Sequence, residues 1–321
     1  MAHKKEMTAK KAASVSSAVF YKIFRLFVLI GISYVVLYPI LTMILQSITL
    51  PTDLFSSSRV WIPDNPTFTN FTHCLKYFKY GEHVWITVQI AAISTLCQVA
   101  VSSLVGYGLA RYRFKGNTLV FMMVILTIIV PVQTAQIPMY VDYQKFDFFG
   151  IGKVIGWFTG TPLTVNLLNT KWVYYIPAML GVGINSGLYI FLFRQFFKGM
   201  PKDLEDAGRV DGCNALQVYL RIMVPNTKPV FVTVALLSAI FYWNDSVISG
   251  MFLNITENMP IMLYTEFIMD PSYTGYTGVT PEQFKAETYV ALLLAVAPLM
   301  ILYIICQKFF TECMDRSGIK G

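Results

Sequence analysis

The chain has almost none of the side chains on which catalysis and metal binding usually depend. Its three histidines, His3, His73 and His83, fall in the N-terminal tail and one loop. No H-E-x-x-H, G-x-S-x-G or P-loop G-x-x-x-x-G-K-[ST] occurs, so the familiar zinc-protease, serine-hydrolase and nucleotide-hydrolysing chemistries have no seat here. The five cysteines form no C-x-x-C pair and no Cys/His cluster with metal spacing, which speaks against a disulfide framework and a metal site. Charge is short too: 13% of the residues are charged, about half the share of a soluble domain. Inside the long apolar runs acids nearly vanish, and Asp245 stands alone at the end of one of them. A proton-coupled carrier needs buried ionisable residues in series. Neither an enzyme nor an ion-driven pump fits, so the work this protein does is powered by something else.

What is abundant is apolar surface, 55% of the residues, gathered in runs near the roughly 20 residues that cross a bilayer as a helix. Six spans are expected, at roughly 23–45, 84–110, 118–141, 174–197, 229–248 and 287–309. The run after the basic N-terminal tail is too long for a cleavable signal segment and is expected to stay as the first membrane helix. With the N-terminus inside, 18 Lys and Arg fall on cytoplasmic segments and seven on outer ones, which is the positive-inside asymmetry. The net charge of +7 therefore orients the protein in a membrane and calls for no nucleic acid. The expected organisation is a cytoplasmic tail at 1–22, a membrane domain at 23–310 with a cytoplasmic loop at 198–228, and a cytoplasmic tail at 311–321. The fold class is all-α, a six-helix bundle with both termini in the cytoplasm.

Uncharged polar residues interrupt the spans. Ser94, Gln98 and Ser102 follow one another at i+4 steps, with Gly106 continuing the stripe on one helix face. Gln133 and Gln136 lie among prolines in the third span, Asn185 at membrane depth in the fourth, and Asn244 at the end of the fifth. Two roles are open to them: hydrogen bonds to a hydroxyl-rich solute, or bonds between helices, which small and uncharged polar residues commonly make in bilayers. The outer insertion at about 146–172 carries Phe148, Phe149, Trp157, Phe158 and Trp172. Its aromatics suit a membrane-interface belt, sugar stacking or a partner surface.

The stretch "PKDLEDAGRVDG" at 201–212 is different in kind. Pro201 suits the first position of a helix, and Asp203, Glu205 and Asp206 follow where the helix dipole favours negative charge. Gly212 can close the helix in a left-handed cap, and Asn214 can cap a second helix that Pro225 stops. Ala207 and Gly208 give the first helix a small-residue face that another protein surface could approach closely. The pattern alone also allows an amphipathic helix resting on lipid headgroups.

The run "LEDAGRVDGCNALQVYLRIMVPNTKP" resembles the EAA loop of ATP-binding-cassette importer permeases of the type I kind. Asp206, Ala207 and Gly208 take the place of the Glu-Ala-Ala triplet, with Glu205 beside them as a second acid. Asp211 and Gly212 match the dipeptide that follows, and Ile222 and Pro225 the later positions. The two departures, Asp for Glu and Gly for Ala, keep charge sign and small size. "GYGLARYRFKG", "IPMY", "WND" and the tail "QKFF…GIKG" are similar to the carbohydrate-uptake, maltose-permease-like branch. The resemblance implies a multi-pass subunit of a bacterial cytoplasmic membrane that forms half of a sugar pathway with a second permease. It implies a cytoplasmic ATPase dimer that receives the EAA helix, an extracellular solute-binding protein, and a carbohydrate substrate. ATP and Mg would act at the ATPase, and this chain would bind no cofactor. An importer of another solute, or a stand-alone carrier or scaffold, are the rival readings.

Overall fold

Helices make up the structure because the sequence offers long apolar stretches whose backbone groups can be satisfied only internally in a bilayer. A computed structural model describes residues 2–54, 62–63, 65–77, 79–130, 132–270 and 280–317, with the side chains of 2–18, 77, 132–133 and 309–317 outside the description. No β-sheet forms among the described residues, only two isolated bridges. The chain divides into two compact units: 1–78 with 276–294, and 79–275 with 295–321.

The first unit begins with α1, Ala2–Ser47. The segment expected as a separate tail at 1–22 continues into the first span because Ala, Lys, Met and Glu dominate it and no Gly or Pro precedes Gly31. The apolar side chains of α1 face outward, Phe27 being 76% exposed. The next helix, α2 (Thr69–Tyr77), supplies Asn70. Its amide donates to the carbonyls of Ser47 at 2.9 Å and Thr49 at 2.7 Å, at the end of α1, where helical carbonyls lack partners. Cys74 of α2 is buried, and burial first and Glu287 second push its thiol up to about 12.

The second unit is built on α3, Tyr80–Arg111. Then follow α4 (Asn117–Ile129), α5 (Gln136–Gln144), α6 (Ile151–Thr159), α7 (Trp172–Met179) and α8 (Ser186–Gly199). A loop region contains α9 (Asp203–Val210), α10 (Ala215–Val218), a π-helical turn at Tyr219–Met223 and α11 (Val224–Asn226). Next come α12 (Lys228–Trp243), α13 (Val247–Phe252) and α14 (Ile261–Ile268). The last helix, α15 (Pro281–Ser317), is shared by the two units. One apolar core surrounds Ile90, Tyr174, Tyr242 and Phe252, and a second surrounds Tyr107, Tyr189, Phe193 and Tyr219. Helix α3 reaches both. Gly106 lets it approach α8 closely, since a Cβ there would stand 2.7 Å from the Cβ of Phe193.

Among the described residues, three helices, Val19–Ser47, Tyr80–Arg111 and Pro281–Lys308, are long and apolar enough to cross a membrane uninterrupted. The spans expected at 118–141, 174–197 and 229–248 are not continuous helices, and each break has a local cause. Val130 leaves the helix with ψ 120° because a proline follows it in the sequence, and pre-proline residues avoid the α region. Between α7 and α8, Gly181 and Asn185 take positive φ of 72° and 56°. After α12, Asp245 accepts from the amides of Ile248 at 3.1 Å and Ser249 at 3.0 Å, starting α13 afresh. A further bend of 82° separates Ala215–Asn226 from Lys228–Trp243.

Candidate functional site

The loop between α8 and α12 is built from strong local signals. Helix α9 starts at Asp203, so Pro201 lies two residues outside it instead of in its first position; the amides of Glu205 and Asp206 bond the carbonyl of Lys202 at 2.9 and 3.1 Å. The helix ends where expected. Gly212 has φ of +83°, its amide bonds Arg209 at 3.1 Å, and Cys213 bonds back to Gly208 at 2.9 Å. This is the paired Schellman closure that a left-handed glycine permits. Asn214 then begins α10 with a reciprocal capping box, Asn214 and Gln217 each bonding the other's backbone amide at 2.9 Å.

Pro225 does not stop this second helix. The backbone widens into the π turn, with the amide of Val224 reaching the carbonyl of Tyr219, and helix continues to Asn226. Proline can neither donate to the preceding turn nor fit against its carbonyl. A wider turn just ahead of it relieves both constraints.

The two faces of α9 are unlike. Glu205 and Gly208 point inward and are buried, whereas Asp203, Asp206, Ala207 and Val210 are exposed. Their spacing puts the exposed four on one arc of the helix. Val210 is 88% exposed, and Asp211 and Gly212 extend the same outward surface. The small-residue face expected for a partner is thus divided. Gly208 serves this chain itself, because any Cβ there would overlap Ile222 Cδ1 and touch Val218. Only Ala207 of the pair looks outward. Ile222 is half-buried beneath α9, and Pro225 is exposed.

Glu205 has an unexpected partner. Its carboxylate stands 2.9 Å from Nε of Arg111, the last residue of α3, and the two side chains are only 7% and 6% exposed. Arg111 Nη2 also donates to the carbonyl of Met200 at 2.9 Å. Arg209, more than half exposed, approaches Glu205 at 3.8 Å and Asp206 at 3.9 Å. Exposed pairs of that kind contribute about 0–1 kcal/mol. In the sequence Arg111 reads only as a boundary charge. The available signal was a single arginine ending a long helix that carries no charge after His83.

The polar residues of the spans are not brought together. Ser94, Gln98 and Ser102 are fully buried inside the unit. Gln98 donates to Ser186 Oγ and accepts from the Tyr242 hydroxyl at 3.1 Å, tying α3 to α8 and α12. Gln136 is half-buried, Asn244 is exposed as the C-cap of α12, and the side chain of Gln133 lies outside the described residues. A cavity of about 590 Å³ does lie beside α4, α7 and α8. Of the expected path residues whose side chains are described, Asn185 alone lines it, together with Ser186, Tyr174 and Tyr242. The tyrosine hydroxyls are already engaged, Tyr174 with Asp245 at 2.5 Å and Tyr242 with Gln98.

Gln98 is therefore expected to act as an interhelical tie. Gln98→Ala should lower the thermal stability of the detergent-extracted protein by about 1–2 kcal/mol, while the solute concentration that half-saturates uptake stays put. A shifted half-saturation with unchanged melting would place Gln98 on the solute path instead.

Comparison with known proteins adds to this geometry. The family described as the inner membrane component of binding-protein-dependent transport systems matches residues 98–315, which include the whole 198–228 loop. The arabinooligosaccharides transport system permease protein AraQ of Halalkalibacterium halodurans is 26% identical over 297 residues, covering 90% of this chain and 93% of that one. The melibiose/raffinose/stachyose import permease protein MelC of Bacillus subtilis is 26% identical over 266 residues, covering 82% of this chain and 85% of that one. Among solved structures, a bacterial ABC transporter involved in the import of the acidic polysaccharide alginate contains a chain of similar fold. That chain superposes with a TM-score of 0.73 at 20% identity, covering 92% of this chain and 98% of that chain. With well over half of its length matching, this chain belongs to the family of binding-protein-dependent transport system inner membrane components.

Proposed function

We propose that this chain is one of two permease subunits of an ATP-driven importer for oligosaccharides or related glycans in a bacterial cytoplasmic membrane. The relatives named for arabinooligosaccharides and for melibiose, raffinose and stachyose support the substrate class. The observation that carries the mechanism is the two-faced helix α9. Its inner face is locked onto the protein by Glu205, Gly208 and Ile222, while Asp206, Ala207 and Val210 project into solvent. Such a knob suits a cleft in a separate ATPase. A second permease completes the pathway, an ATPase pair hydrolyses ATP with magnesium, and a solute-binding protein delivers sugar from outside. This chain binds none of those cofactors itself.

The proposed arrangement has six passes with both termini in the cytoplasm. Three passes are the long helices α1, α3 and α15. The other three combine α4 with α5, α7 with α8, and α12 with α13, each pair interrupted between its two helices. Broken helices are admissible at membrane depth where they are buried in protein or line a cavity. The C-terminal tail, of which 318–321 lie outside the described residues, is proposed to reach the ATPase side.

Cysteine labelling in intact cells tests the topology. Thr161→Cys and Thr280→Cys are expected to react with a membrane-impermeant maleimide. Lys115→Cys should react only after the membrane is opened. Labelling of Lys115→Cys in sealed cells would put the 198–228 loop on the wrong side for any ATPase.

A further inference from the structure

Helix α3 meets the 198–228 loop at three positions one turn apart. Ser103 Oγ and the Tyr219 hydroxyl lie 2.7 Å apart. The Tyr107 ring packs on Tyr219 at 5.1 Å and edge-on to Phe197 at 5.4 Å. Arg111 then closes the row with its buried contact to Glu205 and its bond to Met200. Positions 103, 107 and 111 share one face of the helix. The last contact differs from the others because both partners are charged and both are nearly sealed from solvent.

Stability gives no reason for that choice. Burying two charges costs as much as their attraction returns, and apolar residues of similar volume often hold such a site equally well. What an ion pair supplies is an attraction specific to its partner. Arg111 is fixed at once to the loop helix through Glu205 and to the end of α8 through Met200. The attraction between the two charges holds only while the loop helix stays beside the end of α3, a constraint that an apolar pair of similar volume lacks. Farther up, α3 carries Gln98, whose partners Ser186 and Tyr242 line the cavity. At 1.5 Å per residue that is roughly 20 Å from Arg111 along a single helix.

We propose that the Arg111–Glu205 pair is the joint through which movement of the loop helix turns α3, making both residues positioning residues for transport. The proposal rests on the reading of α9 as the ATPase-docking helix, and it adds where that motion enters the membrane. Glu205 faces away from the docking arc, so its role is distinct from that of Asp206, Ala207 and Val210.

The test uses the complete complex purified with its partner chains, reconstituted in proteoliposomes with loaded binding protein. Three forms are compared: the natural chain, an apolar pair Arg111→Met with Glu205→Leu, and the reversed pair Arg111→Glu with Glu205→Arg. Two quantities are read: the ATPase retained on purification, and solute moved per ATP hydrolysed. The apolar pair is expected to retain the ATPase while solute per ATP falls about tenfold, within the usual range for coupling between sites. The reversed pair should recover most of that loss, which a merely structural role would not predict. Natural efficiency in the apolar pair overturns the joint. Loss of the ATPase from the apolar pair also overturns it, since the contact would then seat the loop and transmit nothing. Failure of the natural chain to retain any ATPase would instead strike the docking reading itself.

Discussion

Val210→Glu is expected to abolish solute uptake while leaving the protein inserted and folded. Val210 is 88% exposed at the end of α9, so a longer polar side chain meets nothing within this chain. In a docked complex it would be desolvated beside Asp206 and Asp211, and an unpaired buried charge costs several kcal/mol. A loss of about 3 kcal/mol weakens association on the order of 100-fold. Melting of the isolated chain should stay within about 0.5 kcal/mol of the natural protein, as for other surface substitutions. Transport at the natural rate by this variant would mean that α9 rests on lipid headgroups or on nothing.

Gly208→Leu should also stop transport, for a different reason. A Cβ at Gly208 already overlaps Ile222 Cδ1; the rest of a leucine would lift α9 off the π turn. Overpacking of this sort costs about 1–3 kcal/mol and would tilt the whole exposed arc. Shortening the obstructing side chain should relieve it. Gly208→Leu combined with Ile222→Ala is expected to regain a large part of the uptake, an interaction of about 1–2 kcal/mol in a double-mutant cycle. The same experiment separates two roles for the glycine. If Gly208 faced the ATPase, trimming Ile222 would not help, and the single and double variants would be equally inactive.

The local devices of the loop were legible because each rests on neighbours in sequence. A glycine after an amphipathic turn, an asparagine ahead of a helical run, and acids at a helix start all act within a few positions, and Gly212, Asn214 and Asp203–Asp206 stand where those rules put them. The long helices α1, α3 and α15 were legible for the same reason, through uninterrupted apolar runs. The breaks at Val130, Gly181–Asn185 and Asp245 were not, because a window of about twenty residues averages over them. Their signals, a proline, paired glycines and a lone acid, were present in each window. Gly208 packs against Ile222 of this chain, which the sequence does not reveal because a small residue tells that something comes close, and not what. Which side of α9 is inward depends on Ile222 and Arg111, contacts made only when the chain has folded. The same holds for Gln98, whose stripe reads equally well as a path or a tie until Ser186 and Tyr242 are placed against it.

On the proposed reading, this chain converts ATP hydrolysis on another subunit into solute import through the outward arc of α9. ATP hydrolysis by the reconstituted complex, measured with and without oligosaccharide-loaded binding protein, tests it most directly. With the natural chain, hydrolysis is expected to rise severalfold on adding the loaded binding protein, and not to rise when the complex carries Val210→Glu. Full stimulation with Val210→Glu, or with this chain left out of the complex, would contradict it.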